Sequence, residues 1–201
     1  MIKALIILLV VIVVLFIIGN LWTYPFQQYF IFRPEKLNAE YKFKFEYPFE
    51  EINLKTKGGG LINALLFRTQ EQERKGVVLY FHGNADNNQR WGTLYPQYVY
   101  AGYDLFIMDY RGFGKSRGKV SQRLMYRDAL SCYDYVSKLY KAEDIIIYGR
   151  SLGTTMACYV ASKENARVLI LETPFYSMKD LFYCYYPLLP RLFVFKFPFP
   201  S

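Results

Sequence analysis

The chain has 201 residues, enough for one domain of moderate size with a buried core. Its formal charge of +8 comes from scattered lysines and arginines without a long basic block, which argues against nucleic-acid binding and for an anionic lipid surface. Three cysteines (Cys132, Cys158, Cys184) without ligand spacing and a single histidine exclude a disulfide framework and a Cys/His metal centre, and the thiols are expected buried or half-buried.

From Ala4 to Ile18 every residue is apolar, and the run continues through Gly19 and Asn20 to Leu21 and Trp22. At about 1.5 Å per residue the stretch 4–22 spans roughly 28 Å, close to the hydrocarbon thickness of a bilayer. A cleaved signal peptide has a shorter apolar core and small residues at its cut, whereas this run exits through Trp22 and Tyr24, placed like interfacial aromatics. Residues 1–22 are therefore expected as an uncleaved single-pass anchor contacting the bilayer through 4–22. The flanking charges, Lys3 on one side and Arg33, Glu35 and Lys36 on the other, assign neither orientation.

Residues 23–40, with Pro25 and Pro34 as breakers, read as a juxtamembrane connector to a domain covering 41–201. Three short strand-like runs follow, at Phe43–Tyr47, Ile52–Thr56 and Leu61–Arg68, the last two joined by Gly58-Gly59-Gly60 as a hairpin. Beyond the polar loop 70–76 come four nearly continuous apolar runs, Val77–Phe81, Tyr103–Met108, Ile145–Tyr148 and Val168–Leu171. Runs of this kind, separated by helix-length stretches, belong to a parallel sheet covered on both faces. Helices are expected at about 88–101, 121–140, 152–164 and 177–188. The fold class is α/β: an N-terminal β-hairpin leading into a doubly wound parallel sheet, preceded by a transmembrane helix.

The chemistry concentrates at Gly149-Arg150-Ser151-Leu152-Gly153, a G-x-S-x-G pentapeptide between an apolar strand and a helix. A strand, a sharp turn and a helix N-terminus are the setting of a nucleophile elbow, where Gly149 and Gly153 allow close approach and the helix favours negative charge near Ser151. A second motif, F-H-G-N-A-D-N at 81–87, directly follows the strand Val77–Phe81. A third, Gly114-Lys115-Ser116, imitates the end of a phosphate-binding loop, but Asp109 stands where the first glycine belongs and loop residues follow, so nucleotide binding is not expected.

F-H-G-N-A (81–85), G-Y-D-L-F-I-M-D-Y-R-G-F-G-K-S-R-G (102–118), Y-G-R-S-L-G (148–153) and L-E-T-P-F-Y-S (171–177) together resemble the α/β-hydrolase superfamily. More narrowly they resemble its membrane-anchored, Bem46-like and depalmitoylase-like serine hydrolases, over about residues 77–180. The resemblance implies Ser151 as nucleophile, an oxyanion hole from the backbone N–H of Leu152 and of Asn84 or Ala85, and acyl esters or thioesters as substrates. His82 and Gly83 then belong to the structural turn of the first loop, with His82 no general base; Asp109 and Arg111 are expected to brace the loop that carries Gly114-Lys115-Ser116, beneath the active-site face.

The resemblance also implies a triad order of Ser, then Asp or Glu, then His. After Ser151 the chain offers Glu164, Glu172 and Asp180 but no histidine. Two readings follow: a membrane-anchored serine hydrolase whose fold is incomplete at the C-terminus of these 201 residues and inactive as given, or a catalytically dead membrane module binding an acyl chain or a protein partner. In both, Val168–Leu171 is expected as an exposed apolar edge strand. The aromatic stretch 181–200 is expected either to line an acyl-binding cleft or touch lipid, or to pack as helix and loop. Nothing in the sequence states an oligomeric state.

Overall fold

The computed structural model describes residues 2–189 and 191–200. No residue of helix α1 (Ile2–Thr23) is fully buried, only one face near its C-terminal end being partly covered, and at about 1.5 Å per residue it is roughly 33 Å long. It is long and apolar enough to cross a membrane. Pro25, which lacks an N–H, tightens the next turn into a 3₁₀ segment (Tyr24–Phe26), and α2 (Gln27–Ile31) resumes the helical path. The first part of the connector, to Ile31, thus extends the apolar helix, and the remainder runs through Arg33–Pro34 as extended chain and loop.

The domain is built on a six-stranded sheet of order β2-β3-β6-β4-β7-β8. A two-residue strand β1 (Arg33–Pro34) comes first, outside this sheet. Strands β2 (Phe49–Thr56) and β3 (Gly60–Phe67) form the expected hairpin, in register from Phe49 opposite Phe67 to Thr56 opposite Gly60. Its turn uses Gly58 and Gly59 at φ of +73° and +69°, the left-handed region that glycine enters without a Cβ penalty. Strands β4 (Gly76–Phe81), β6 (Tyr103–Met108), β7 (Ile145–Arg150) and β8 (Val168–Glu172) are mutually parallel, β3 being antiparallel to β6. Between β4 and β6, strand β5 (Ala85–Asp86) pairs in parallel with β1.

Side chains alternate across the sheet, as the period of two requires. Val77, Leu79 and Phe81 of β4 join Ile145 and Ile147 under helices α5 (Gln122–Val136) and α6 (Gly153–Ala161). Val78 and Tyr80 face the opposite layer, built from α3 (Asn88–Trp91), α4 (Tyr95–Val99) and residues 41–47. Both faces are covered, so strands without polar alternation are stable. A last helix, α7 (Met178–Tyr185), is capped by Ser177, whose Oγ accepts the Asp180 N–H at 3.0 Å.

Four expectations are corrected. Phe43–Tyr47 is not a strand: Phe43 and Phe45 pack edge-on against Phe49 and Phe67, and Tyr47 stacks on Tyr95, covering the sheet face. Any extended segment alternates its side chains with a period of two, whether it packs on a sheet or pairs inside one. The helix expected at 88–101 is interrupted by a 3₁₀ turn at Gly92–Leu94, where the Phe45 ring occupies the space a Cβ on Gly92 would take, and Pro96 restarts the helix as α4. The helix expected at 121–140 ends at Val136. Cys132 is buried and Cys158 half-buried, but Cys184 is exposed, because α7 turns only Tyr183 fully inward. Edge strand β8 leaves Val168, Leu169 and Ile170 exposed, as expected.

Candidate active site

Strand β7 delivers the chain to Ser151, whose φ of +50° is left-handed and strained for a residue with a Cβ. Strain of this kind persists only where the surroundings impose it. Ser151 N–H donates to the Glu172 carbonyl at the end of β8 (2.9 Å), while the Ser151 carbonyl accepts from the Thr154 N–H and Oγ1 (2.9 and 2.6 Å). The two glycines are required by approach. A Cβ on Gly149 would lie 2.5 Å from the Gly153 carbonyl oxygen and 2.7 Å from Ala157 Cβ. One on Gly153 would run into the Phe81 backbone and lie 2.8 Å from the His82 carbonyl oxygen. Helix α6 therefore sits directly against β7 and β4, with its N-terminal N–H groups at the serine.

The first loop leaves β4 beside this turn. His82 is fully buried: Nδ1 lies 2.7 Å from the Gly83 carbonyl oxygen and Nε2 3.3 Å from Asp109 Oδ1. Its ring stacks on Trp91 and packs on Tyr110, whose hydroxyl donates to the His82 carbonyl at 2.7 Å. Asp109 accepts the Asn88 N–H at 3.1 Å, and burial pushes its carboxyl above the usual aspartate range, opposed by the neighbouring His82 ring and the Asn88 N–H. His82 and Asp109 thus brace the loop. No side chain among the described residues hydrogen-bonds Ser151 Oγ. Arg111, in the loop after β6, pairs with Asp128 of α5 at 2.5 Å and holds the Gly58 and Lys57 carbonyls, tying that loop to α5 and the β2–β3 turn. In the third motif, Lys115 pairs with Glu51 at 2.7 Å and Ser116 Oγ donates to the Asp109 carbonyl, both structural engagements.

A cavity of about 430 Å³ opens over Ser151, within the range of small-molecule sites. It brings together Ser151, Leu152 and Asn84 from the anticipated set; Ala85 is not in its lining, being held in the β1–β5 pair with its carbonyl accepting from Trp91 Nε1. Gly83 lies at the same edge, where a Cβ would come 3.9 Å from Ser151 Cβ. One wall comes from α7 and the segment after it, with Leu181, Phe182, Phe193 and Phe195. Of the two expectations for 181–200, the cleft-lining one describes these side chains. The other wall, Thr23, Gln27, Phe30 and Ile31, escaped sequence reasoning. The available signal was Asn20 and Gln27, polar residues seven apart and so on one helical face of an apolar segment.

The family model for serine aminopeptidase S33 matches residues 72–198, more than half the chain. Protein bem46 of Schizosaccharomyces pombe is 30% identical over 160 residues, covering 77% of this chain and 51% of that protein. Lysophosphatidylserine lipase ABHD12 of Danio rerio is 36% identical over 118 residues, 54% of this chain and 30% of that one. Among solved structures, an α/β hydrolase from Vibrio vulnificus is similar with a TM-score of 0.57 at 27% identity, covering 66% of this chain and 48% of that chain. An esterase from Pyrococcus furiosus shares the fold at a TM-score of 0.60 and 17% identity, over 80% of this chain and 63% of that one. The chain spans about half the length, or less, of these curated relatives. The strand order, the strained serine between β7 and α6 and these matches agree: the chain belongs to the serine aminopeptidase S33 family of α/β hydrolases.

Proposed function

We propose that the chain carries the nucleophile, oxyanion hole and acyl pocket of a membrane-anchored serine hydrolase acting on acyl esters or thioesters. The observation that carries this reading is Ser151 at φ +50°, lining one apolar cavity with Leu152 and Asn84. Once a base takes its proton, Ser151 Oγ attacks the acyl carbonyl, and the oxyanion that develops accepts from the N–H groups of Leu152 and Asn84, fixed in place before charge appears. Collapse of the tetrahedral species then breaks the bond to the alcohol or thiol, which leaves with that proton. Asn84 suits this role better than Ala85 because it borders the cavity. The apolar surface of α1 serves as the anchor, and the positive net charge favours an anionic leaflet. The relative named a lysophosphatidylserine lipase acts, by that name, on a lipid ester, in keeping with an apolar acyl pocket.

The only histidine of the 201 residues is held between Gly83 and Asp109, so general-base help for Ser151 is not supplied by His82. That observation favours a second reading, a binding module on the hydrolase fold. Chemical rescue separates the two. The chain in nanodiscs is treated with a fluorophosphonate, with and without imidazole as a diffusible base. The hydrolase reading expects slow labelling of Ser151, accelerated by imidazole and lost in Ser151→Ala. Without a base, residual catalysis of roughly 10³–10⁴ over water is what an oxyanion hole and binding retain. A folded chain that stays unlabelled under both conditions overturns the hydrolase reading and leaves the binding module.

A further inference from the structure

We propose that the cavity at Ser151 receives an acyl chain drawn sideways from the bilayer, with the anchor helix and its extension forming one wall of the entry path. This rests on the reading of Ser151 as the site of acyl chemistry and adds the source of the acyl chain and a role for the anchor. Thr23 is the last residue of α1, and Gln27, Phe30 and Ile31 continue along α2; all four border the same cavity as Ser151. A single apolar space therefore connects the end of the apolar helix to the nucleophile.

The anchor is docked onto the domain. Phe16 packs edge-on against Phe193 at 5.2 Å, and Asn20 Oδ1 accepts the Val194 N–H at 3.0 Å. Gln27 uses both ends of its amide, donating to the Val194 carbonyl and accepting the Lys196 N–H, each at 2.7 Å. Phe16, Asn20, Thr23 and Gln27 recur at spacings of four, three and four, so one helical face meets the domain. On the catalytic side, Asn84 Nδ2 donates to the Ile31 carbonyl at 2.7 Å, and Arg33 N–H to the Asn84 carbonyl at 2.8 Å. The loop that borders the nucleophile is thus tied to the end of the anchor's extension, which fixes the cavity at the membrane surface.

The lining suits a chain rather than a head group. Its polar side chains, Thr23, Gln27, Asn84 and Ser151, are uncharged, and the remainder are aliphatic or aromatic. At about 30 Å³ for each water-sized group, the space holds roughly fourteen of them, enough for a medium-length acyl chain. Tyr185, which lines the cavity, and Leu188, Leu192 and Val194 after it are 75%, 97%, 70% and 57% exposed, and Val194 is the residue hydrogen-bonded to Asn20 and Gln27 of the docked helix and its extension. An apolar rim of this kind is stable against lipid. A chain that crosses it keeps its methylenes out of water throughout.

The test places the full chain in nanodiscs containing a phospholipid with a diazirine in its acyl chain. A parallel arm uses plain nanodiscs and supplies the same acyl chain on coenzyme A from the aqueous side. After photolysis, insertion sites are mapped by mass spectrometry. Insertion of the bilayer-borne chain at Phe30, Leu181 or Phe182, exceeding that from the coenzyme A arm, supports the proposal. Insertion confined to the outer surface at 5–18, or cavity labelling at least as strong from coenzyme A, overturns it. Leu181→Trp, which fills the cavity, is expected to lower cavity insertion about tenfold while leaving insertion along 5–18 unchanged; if the variant does not fold, the mapped sites in the unaltered chain decide. The fluorophosphonate experiment fails separately: cavity insertion without Ser151 labelling upholds the acyl site and overturns the hydrolase reading, and the converse overturns only the route.

Discussion

Replacing Gly149 by alanine adds one methyl group where β7 and α6 touch. The new Cβ would stand 2.5 Å from the Gly153 carbonyl oxygen, 2.7 Å from Thr154 Cα and 2.7 Å from Ala157 Cβ. Carbon atoms rest about 3.5–4.0 Å apart, so the helix must retreat by close to 1 Å. None of the three atoms lies at the end of a flexible side chain, so the strain cannot be relieved by a rotamer change. Overpacking of this type costs about 1–3 kcal/mol, and three simultaneous contacts place Gly149→Ala at about 3 kcal/mol. For a domain of this size that is a fall in Tm of about 6–12 °C, measurable by tyrosine fluorescence in detergent micelles. The retreat also re-aims the Leu152 N–H relative to the oxygen bound at Ser151, and a misplacement of about 1 Å is expected to slow imidazole-assisted fluorophosphonate labelling about 100-fold. A variant that melts within about 2 °C of the parent and labels at the parent rate would refute the close-approach argument for this turn.

Two further substitutions test what braces the site. Asp128→Asn removes the charge that faces the fully buried Arg111 guanidinium, and is expected to cost about 3–5 kcal/mol in urea unfolding. The exposed control Asp134→Asn should stay within about 0.5 kcal/mol, and equal effects would sink the assignment. Asp109 is held above the ordinary carboxylate value near 3.8, chiefly by burial, so the folded state binds its proton more tightly than the unfolded chain. Its stabilising contribution is therefore complete below that value and is lost as pH rises through the higher folded value. Asp109→Asn cannot ionise, so its Tm relative to the parent should rise as pH increases from acid toward neutrality; a constant or falling difference contradicts the sign.

Much of the fold was legible because its signals are local. Strand Tyr103–Met108 lies where its apolar run does, and β4, β7 and β8 match theirs within two residues at either end, because a strand buried on both faces needs no polar alternation. The hairpin was legible from three consecutive glycines. Errors arose where a local pattern had two physical solutions. Phe43, Phe45 and Tyr47 alternate as a strand would, yet the ladder position beside β3 is taken by β2, and the aromatic rings gain more by covering Phe67. The 88–101 stretch has helical composition, but Gly92 is needed for the close approach of Phe45.

The candidate site divides along the same line. The sequence by itself determined the turn at Ser151, because the strand, the two glycines and the helix that force its conformation are contiguous within 145–161. The structural place of His82 was implied only by the resemblance to α/β hydrolases, and the burial of its ring against Trp91 and Tyr110 is a matter of tertiary packing. Only the tertiary structure decided that the cavity over Ser151 is walled by residues 23–31 and 178–195. The bonds that close it join Gln27 to Val194 and Asn84 to Ile31, across separations of 167 and 53 residues. No period or motif encodes a contact of that range. It exists because an otherwise exposed apolar helix and its extension turn one polar stripe, Asn20 and Gln27, toward backbone groups that need partners.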